Sequence, residues 1–256
     1  MEIHLIPALR DNYIFLLHDR ATQSAVVVDP GEAAPVVRRL RQLDAKLVAI
    51  WNTHRHRDHM GGNAELLAAY PGIPVYGSPV DRGYLPGQTH FLKEGDRVEF
   101  AGRSAIVMAL PGHLHGHIAY YFAPTEAAVG ELFIGDVIFS AGCGRIFDGP
   151  IPVAVQSIDR LRQLPDSTRV WCAHEYTLTN LKFALAIDPE NLALQDWAAA
   201  AQRLRHQNQP TIPTTIGRER QINPFLRWDV PNIQQAVGMR EAAAVFGELR
   251  RRKEMM

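Results

Sequence analysis

Residues Thr53 to His59 read THRHRDH: three histidines and an aspartate fall within seven positions, between the apolar run Leu47-Val48-Ala49-Ile50-Trp51 and Met60-Gly61-Gly62. The apolar run reads as a buried strand, so the polar cluster begins where that strand ends. In an extended backbone, residues two apart point to one side, and His54 and His56 then present their imidazoles in one direction. A turn into helix swings Asp58 and His59 onto another. One short segment can thus offer two donors to each of two neighbouring metal ions, with Gly61 and Gly62 leaving room for the backbone turn. Four ligand-type side chains at this spacing rarely arise by chance, so the fold has to bring further donors to this strand end.

Three candidates follow other predicted strands. His113 stands in Leu110-Pro111-Gly112-His113, Asp136 in Ile134-Gly135-Asp136, and His174 in Trp171-Cys172-Ala173-His174-Glu175-Tyr176. Taken singly, either histidine is by default a hydrogen-bonded side chain, and the aspartate a turn residue. Beside HxHxDH they complete a set of five histidines and two aspartates on loops after strands, where scaffolds place chemistry. This N/O set suits Zn²⁺, Fe or Mn²⁺ and speaks against a closed structural zinc site, which normally uses cysteine. His117 opens a strand and is a candidate for orienting a ligand. His115 reads as exposed, and His4, His18, His90 and His206 as surface or packing residues.

Periodicity gives the scaffold. Strands are predicted at Ile3–Ile6, Tyr13–Leu17, Ala25–Val28, Leu47–Trp51, Ile73–Tyr76, Arg97–Phe100, Ser104–Ala109, His117–Phe122, Leu132–Ile134 and Arg169–Ala173. Helices are predicted at Ala33–Leu43, Ala64–Tyr70 and Val155–Leu164. After His174 the texture becomes helical, with Thr177–Ile187, then Pro189–Gln207 capped by Asp188-Pro189. The second of these carries the stripe Leu194, Trp197, Ala201 and Leu204. A proline-punctuated stretch, Pro210–Pro224, precedes shorter helices near Ile233 and at Ala242–Arg252. Strands mixed with helices, then helices alone, describe an α/β body with a helical C-terminal part.

Charge and cysteine content narrow the function. Lys+Arg 27 against Asp+Glu 27 gives no net charge, so no electrostatic footprint for nucleic acid or an anionic membrane is expected. The run Arg250-Arg251-Arg252-Lys253 reads as the solvated end of a last helix. Two cysteines make no disulfide framework. The start MEIHLIPALRDNYIF lacks the basic and long apolar regions of a signal peptide, and no stretch approaches the roughly 18 apolar residues of a membrane span. A cytoplasmic, monomeric protein is expected.

The pattern HxHxDH, a distant PGH, a GD and a later histidine resembles the metallo-β-lactamase superfamily. The resemblance implies a four-layer αββα sandwich with a C-terminal α-helical domain, divided as residues 1–174 and 175–256. Ala141-Gly142-Cys143-Gly144-Arg145-Ile146-Phe147-Asp148-Gly149, Cys172-Ala173-His174-Glu175-Tyr176-Thr177, Leu181-Lys182-Phe183-Ala184, Asn223-Pro224-Phe225-Leu226-Arg227 and Asp11-Asn12-Tyr13 are together similar to the hydroxyacylglutathione hydrolases (glyoxalase II). That likeness implies two divalent ions, zinc foremost. His54, His56 and His113 would bind the first, and Asp58, His59 and His174 the second. Asp136 would bridge them, with Asp58 and Asp136 serving the bridging hydroxide. Arg145, Phe147, Tyr176 and Arg227 would contact a glutathione thioester. Phe147 stands where eukaryotic members often carry tyrosine, and Trp228-Asp229 where they carry a further cation.

The implied reaction converts S-D-lactoylglutathione to D-lactate and glutathione, a step in methylglyoxal detoxification. Two alternatives are an iron-dependent glutathione persulfide dioxygenase with similar ligands, and a metal-binding regulatory or interaction protein. Cys143, between two glycines, has no base assigned to it and reads as a small packing residue in a tight loop rather than a nucleophile.

Overall fold

The computed structural model describes residues 1–256. Residue contacts divide the chain into two compact units: Met1–Ala109, Gly116–Ala123 and Leu132–Gly135 form one, and Leu110–His115, Pro124–Glu131 and Asp136–Met256 the other.

The first unit holds β1 (Glu2–Ala8), β2 (Asn12–Asp19), β3 (Ser24–Val28), α1 (Ala34–Leu43), β4 (Lys46–Trp51), α2 (Arg57–Met60), α3 (Asn63–Ala69), β5 (Val75–Gly77) and β6 (His90–Phe91), joined in one sheet in the order β1-β2-β3-β4-β5-β6. The β1–β2 and β2–β3 pairs are antiparallel; β3, β4, β5 and β6 run parallel. Alternate residues of these strands (Ile14, Leu16, Val27, Ile50) turn onto Val36 and Leu40 of α1 and Leu66 of α3, closing a core removed from water. A second sheet contains β7 (Arg97–Phe100), β8 (Arg103–Ala109), β9 (Ile118–Phe122) and residues Leu132–Gly135 of β10 (Glu131–Gly135). Trp51 at the end of β4 stacks on Tyr120 of β9, ring centroids 5.0 Å apart. The two sheets thus meet face to face beneath the point where THRHRDH leaves the strand.

The parallel β3–β4 pair does most to position the polar cluster. Parallel strands end side by side, so the residue after β3 and the residues after β4 emerge together. Asp29 N–H accordingly reaches Trp51 O at 3.0 Å. Ligand sites in open α/β sheets form at such carboxyl ends.

The second unit holds β11 (Ile138–Phe139), β12 (Gly142–Cys143), α4 (Ile151–Arg162), β13 (Arg169–Cys172), α5 (Thr177–Ile187), α6 (Leu192–His206), β14 (Thr214–Thr215), α7 (Ile216–Ile222), α8 (Pro231–Val237) and α9 (Ala242–Glu254). Leu194 and Ala201 of the expected α6 stripe pack with Leu181, Ala184 and Ile222, and Trp197 lies against the same cluster. No helix is long and apolar enough to cross a membrane.

Three local expectations are corrected. The cap of α6 is Asn191, whose side chain accepts from Leu194 N–H at 3.1 Å, while Asp188 closes the end of α5. A helix, α7, stands inside the proline-punctuated stretch; Thr215 caps it, and the buried Glu219 accepts from Thr214 Oγ1 at 2.6 Å and Ala141 N–H at 2.8 Å. The C-terminal basic run is not uniformly solvated. Arg251 is exposed and pairs with Glu248, whereas Arg250, 5% exposed, donates to the Cys143 carbonyl at 3.0 Å.

Lys253 turns inward on the same helix, its ammonium on the Asn180 side-chain oxygen. Burial, which disfavours the charged form, pulls its pKa down to about 8. Below that pH the folded and unfolded chains both carry the charge, and the folded state bears the cost of burying it. Between about 8 and the ordinary 10.5 the unfolded chain keeps a proton the folded chain has shed, so this group's contribution to stability rises with pH. Lys253→Met is expected to raise Tm by a few degrees at pH 7, with the gain shrinking as pH approaches 10.5 in a calorimetric series.

Candidate metal centre

In the first unit, β4 ends at Trp51, the chain bends at Thr53 and His54, and α2 starts at Arg57. His56 is the last extended residue, with φ −65° and ψ 144°. The turn into helix anticipated from the spacing follows His56, but the strand itself stops at Trp51. His54 and His56 therefore stand on a bent segment rather than on the strand, and the donors still fall into two pairs. His54 Nε2 and His56 Nδ1 lie 3.0 Å apart, and Asp58 Oδ2 and His59 Nε2 lie 3.4 Å apart. His54 and His59 are buried, at 0% and 1% exposure.

Asp29, at the end of β3, organises this half. Its Oδ1 accepts from Thr53 N–H at 2.7 Å, and its Oδ2 accepts from Thr53 Oγ1 at 2.7 Å and faces His59 Nδ1 at 3.0 Å. A carboxylate only accepts, so His59 Nδ1 carries the proton and Nε2 keeps a lone pair. The Thr53 hydroxyl, having given its proton to Asp29, accepts from His54 Nδ1 at 3.0 Å, and His54 Nε2 is likewise left with a lone pair. Orienting the far nitrogen of each ligand in this way is how proteins fix a metal-binding tautomer. Asn12 acts on the carboxylate ligand, donating from Nδ2 to Asp58 Oδ2 at 3.0 Å. The ring of the buried His117 stacks on His54 with centroids 4.7 Å apart, and His115 is exposed as expected.

In the second unit, Asp136 presents one oxygen to each of two histidines. Its Oδ2 is 3.5 Å from His113 Nε2 and its Oδ1 is 3.4 Å from His174 Nε2. Bonds of about 2.0–2.1 Å to a tetrahedral ion place neighbouring ligand atoms roughly 3.3 Å apart. The observed spacing therefore fits atoms that share ions, with the carboxylate divided between two. His113 is 6% exposed and His174 4%. His113 Nδ1 donates to the Arg145 carbonyl at 2.8 Å, which again leaves Nε2 as the lone-pair nitrogen. The GCGR turn is thus part of the support for the centre. A side chain at Gly144 would collide with the Asp136 carbonyl, so only glycine lets the turn pass this close. The donor chemistry fits a metal, because three buried histidines are anchored through Nδ1 and keep the lone pair on Nε2.

Two of the expected substrate contacts, Phe147 and Tyr176, lie beside the second unit's donors. Phe147, 58% exposed, meets the His113 ring edge-on at 5.2 Å. Tyr176 stacks on His174 at 4.6 Å with planes 8° apart. The Arg145 side chain is exposed. Arg227 is committed at one nitrogen: NH1 pairs with Asp188 Oδ2 at 2.5 Å, with side-chain exposures of 13% and 3%. Asp29, Thr53, Asn12 and Gly144 had no role assigned from sequence. Asp29 precedes Pro30-Gly31, which in sequence is only a turn signal, and the register of β3 beside β4 shows where its carboxylate goes.

Comparison with known proteins places this arrangement. Residues 10–174 match the family model of the metallo-beta-lactamase superfamily, and the chain is a metal-dependent hydrolase with the α/β sandwich of that class. Residues 175–256 match the model of the hydroxyacylglutathione hydrolase C-terminus. A hydroxyacylglutathione hydrolase of Synechocystis sp. is 58% identical, with 99% of each chain covered. The chain belongs to the hydroxyacylglutathione hydrolase family. Its fold is similar to that of the BLEG-1 B3 metallo-beta-lactamase (25% identity, TM-score 0.66, 88% of this chain and 100% of that one). It is also similar to a protein solved in a di-iron-bound form (26% identity, TM-score 0.59, 88% and 100% covered). The superfamily fold and the histidine and aspartate set support a binuclear metal site.

Two outcomes are expected. Asp29→Asn keeps the shape but weakens the acceptor behind His59, and metal affinity measured by chelator competition should fall about 10- to 100-fold. Arg227→Ala leaves the buried Asp188 carboxylate without a counter-charge, with Asn191 Nδ2 at 3.0 Å still donating to it, and should cost about 3 kcal/mol in urea unfolding.

Proposed function

We propose that this chain hydrolyses S-D-lactoylglutathione to D-lactate and glutathione, the hydrolytic step of methylglyoxal detoxification. The observation that carries the reading is the match of residues 175–256 to the hydroxyacylglutathione hydrolase C-terminus, joined to a metal-centre half with its ligand types complete. In this reading His54, His56 and His113 hold one ion, Asp58, His59 and His174 the other, and Asp136 serves both. Zinc is the proposed ion, and the N/O set also accepts Fe or Mn.

When bound, the ions supply a hydroxide at neutral pH and stabilise the oxyanion of the thioester carbonyl. The chain's own residues do the rest. Asp58, steadied by Asn12 at 3.0 Å, would hold its ion and could accept a hydrogen bond from the nucleophile. Asp136 keeps both carboxylate oxygens engaged. Glutathione leaves as a thiolate whose parent pKa is about 8.5, so no separate acid has to protonate it. The anionic glutathione carboxylates are met by the exposed Arg145 and by the Arg227 N–H groups not given to Asp188, with Phe147 and Tyr176 as apolar walls. Cys143 takes no part. Its thiol is buried and its pKa raised by that burial, with Arg250 beside it only partly offsetting the effect. Reduced, buried Cys143 and Cys172 suit a monomer working in the cytoplasm.

The test is hydrolysis of S-D-lactoylglutathione beside a simple β-lactam, a lactone and glutathione persulfide, with metal analysis of the same sample. Turnover of the thioester alone with two metal ions per chain is expected. One iron per chain with oxygen uptake on the persulfide would overturn the reading. His54→Ala should lose metal and at least about 10³-fold of kcat/KM, on the order seen when central electrostatic groups are removed. Cys143→Ala should retain most of both, by the same assays.

A further inference from the structure

A second group of donors lies outside that ligand set, on β1 and β2. The antiparallel register puts Glu2 opposite His18, and Glu2 and His4, two apart on one strand, face the same side. One ligand atom from each lies within 4.8 Å of the other two. Glu2 Oε2 stands 3.7 Å from His4 Nε2 and 3.9 Å from His18 Nδ1. Both separations are too long for hydrogen bonds.

The two nitrogens are buried and neither has a hydrogen-bond partner. The His18 side chain is only 3% exposed. Its other nitrogen, Nε2, lies 3.0 Å from Gln23 Oε1, an acceptor, so the proton resides there and Nδ1 turns a lone pair inward. A buried lone pair that faces a carboxylate oxygen with no hydrogen between them is costly. A cation in the gap would turn the same arrangement into a favourable one.

The surroundings leave that gap available. Arg20, 74% exposed, engages Glu2 through Oε1 at 2.8 Å, which frees Oε2 for the interior. Burial and then the nearby Arg39 lower the His4 pKa, which keeps this imidazole neutral and ligand-competent. The Glu2 oxygen stands about half an ångström beyond the roughly 3.3 Å edge that a tetrahedral ion with bonds of about 2.0–2.1 Å sets to each imidazole nitrogen.

We propose that Glu2, His4 and His18 form a further metal site for a borderline divalent ion of the zinc type, with two imidazoles and one carboxylate oxygen as protein ligands. Gln23 holds the tautomer of His18 as Asp29 holds that of His59. The ion would clasp the edge strand β1 to β2, and its role is to stabilise, since none of the three residues belongs to the catalytic ligand set. Donors of this kind bind Zn²⁺ and, by the usual affinity order, Ni²⁺ and Cu²⁺ more readily than Mn²⁺.

The experiment loads the full-length protein with metal, desalts it, and titrates it with Zn²⁺ while bound metal and Tm are followed. Wild type should take up one further equivalent and rise in Tm. His18→Gln and Glu2→Gln should take up none and show no rise, with thioester hydrolysis unchanged in both. Glu2 is partly exposed on an edge strand, so Glu2→Gln keeps the test decisive if His18→Gln folds poorly. No further equivalent in wild type, or an undiminished one in Glu2→Gln, would overturn the proposal.

Discussion

A neutral imidazole has one proton and two nitrogens, and the structure depends on where that proton is held. At His59 the proton faces Asp29, at His54 the Thr53 hydroxyl, and at His113 the Arg145 carbonyl. Each tie is a hydrogen bond of 2.8 to 3.0 Å made by a buried imidazole, where such bonds are strong and their loss is expensive. Each also turns Nε2 toward the centre as a lone pair. A carboxylate with one oxygen for each of two histidines needs ligands in that state, because a proton on either nitrogen would settle for a hydrogen bond instead of an ion.

The scaffold serves this constraint. Parallel pairing of β3 with β4 delivers Asp29 beside Thr53, and the start of α2 after His56 divides four donors into two pairs. The glycine at 144 lets the turn bearing Arg145 run against Asp136, so the support for His113 comes from backbone rather than from a side chain. Binding of glutathione by Arg145 would therefore touch the same turn that orients a metal ligand. In the proposed reading, substrate recognition and metal support would share one short segment.

Legibility in the sequence depends on distance along the chain. HxHxDH was legible because its geometry is local: the donors fall within a few residues that end in a turn into helix, although the chain bends at Thr53 and His54 instead of continuing β4. The alternation of strands and helices through residue 174 was legible for the same reason. Asp29 was not, since its partners Thr53 and His59 lie 24 and 30 positions away and only sheet register unites them. The Asp188-Pro189 pair carries the signal of a helix start, yet Asp188 is spent on Arg227, and Asn191 three residues on takes the capping role. The helix α7 was hidden because seven residues between prolines show too little periodicity to stand out. Arg250 and Lys253 looked like solvated charge because nothing in a basic run says which of its residues turn inward.

The central claim is that two ions, held by lone-pair nitrogens and a shared aspartate, perform the hydrolysis. Its most direct test is to strip the protein of metal and restore Zn²⁺ stepwise while the initial rate on S-D-lactoylglutathione is followed. The account predicts little activity up to the first equivalent and a plateau once two are bound. A plateau at one equivalent, or full activity in the stripped protein, would contradict it.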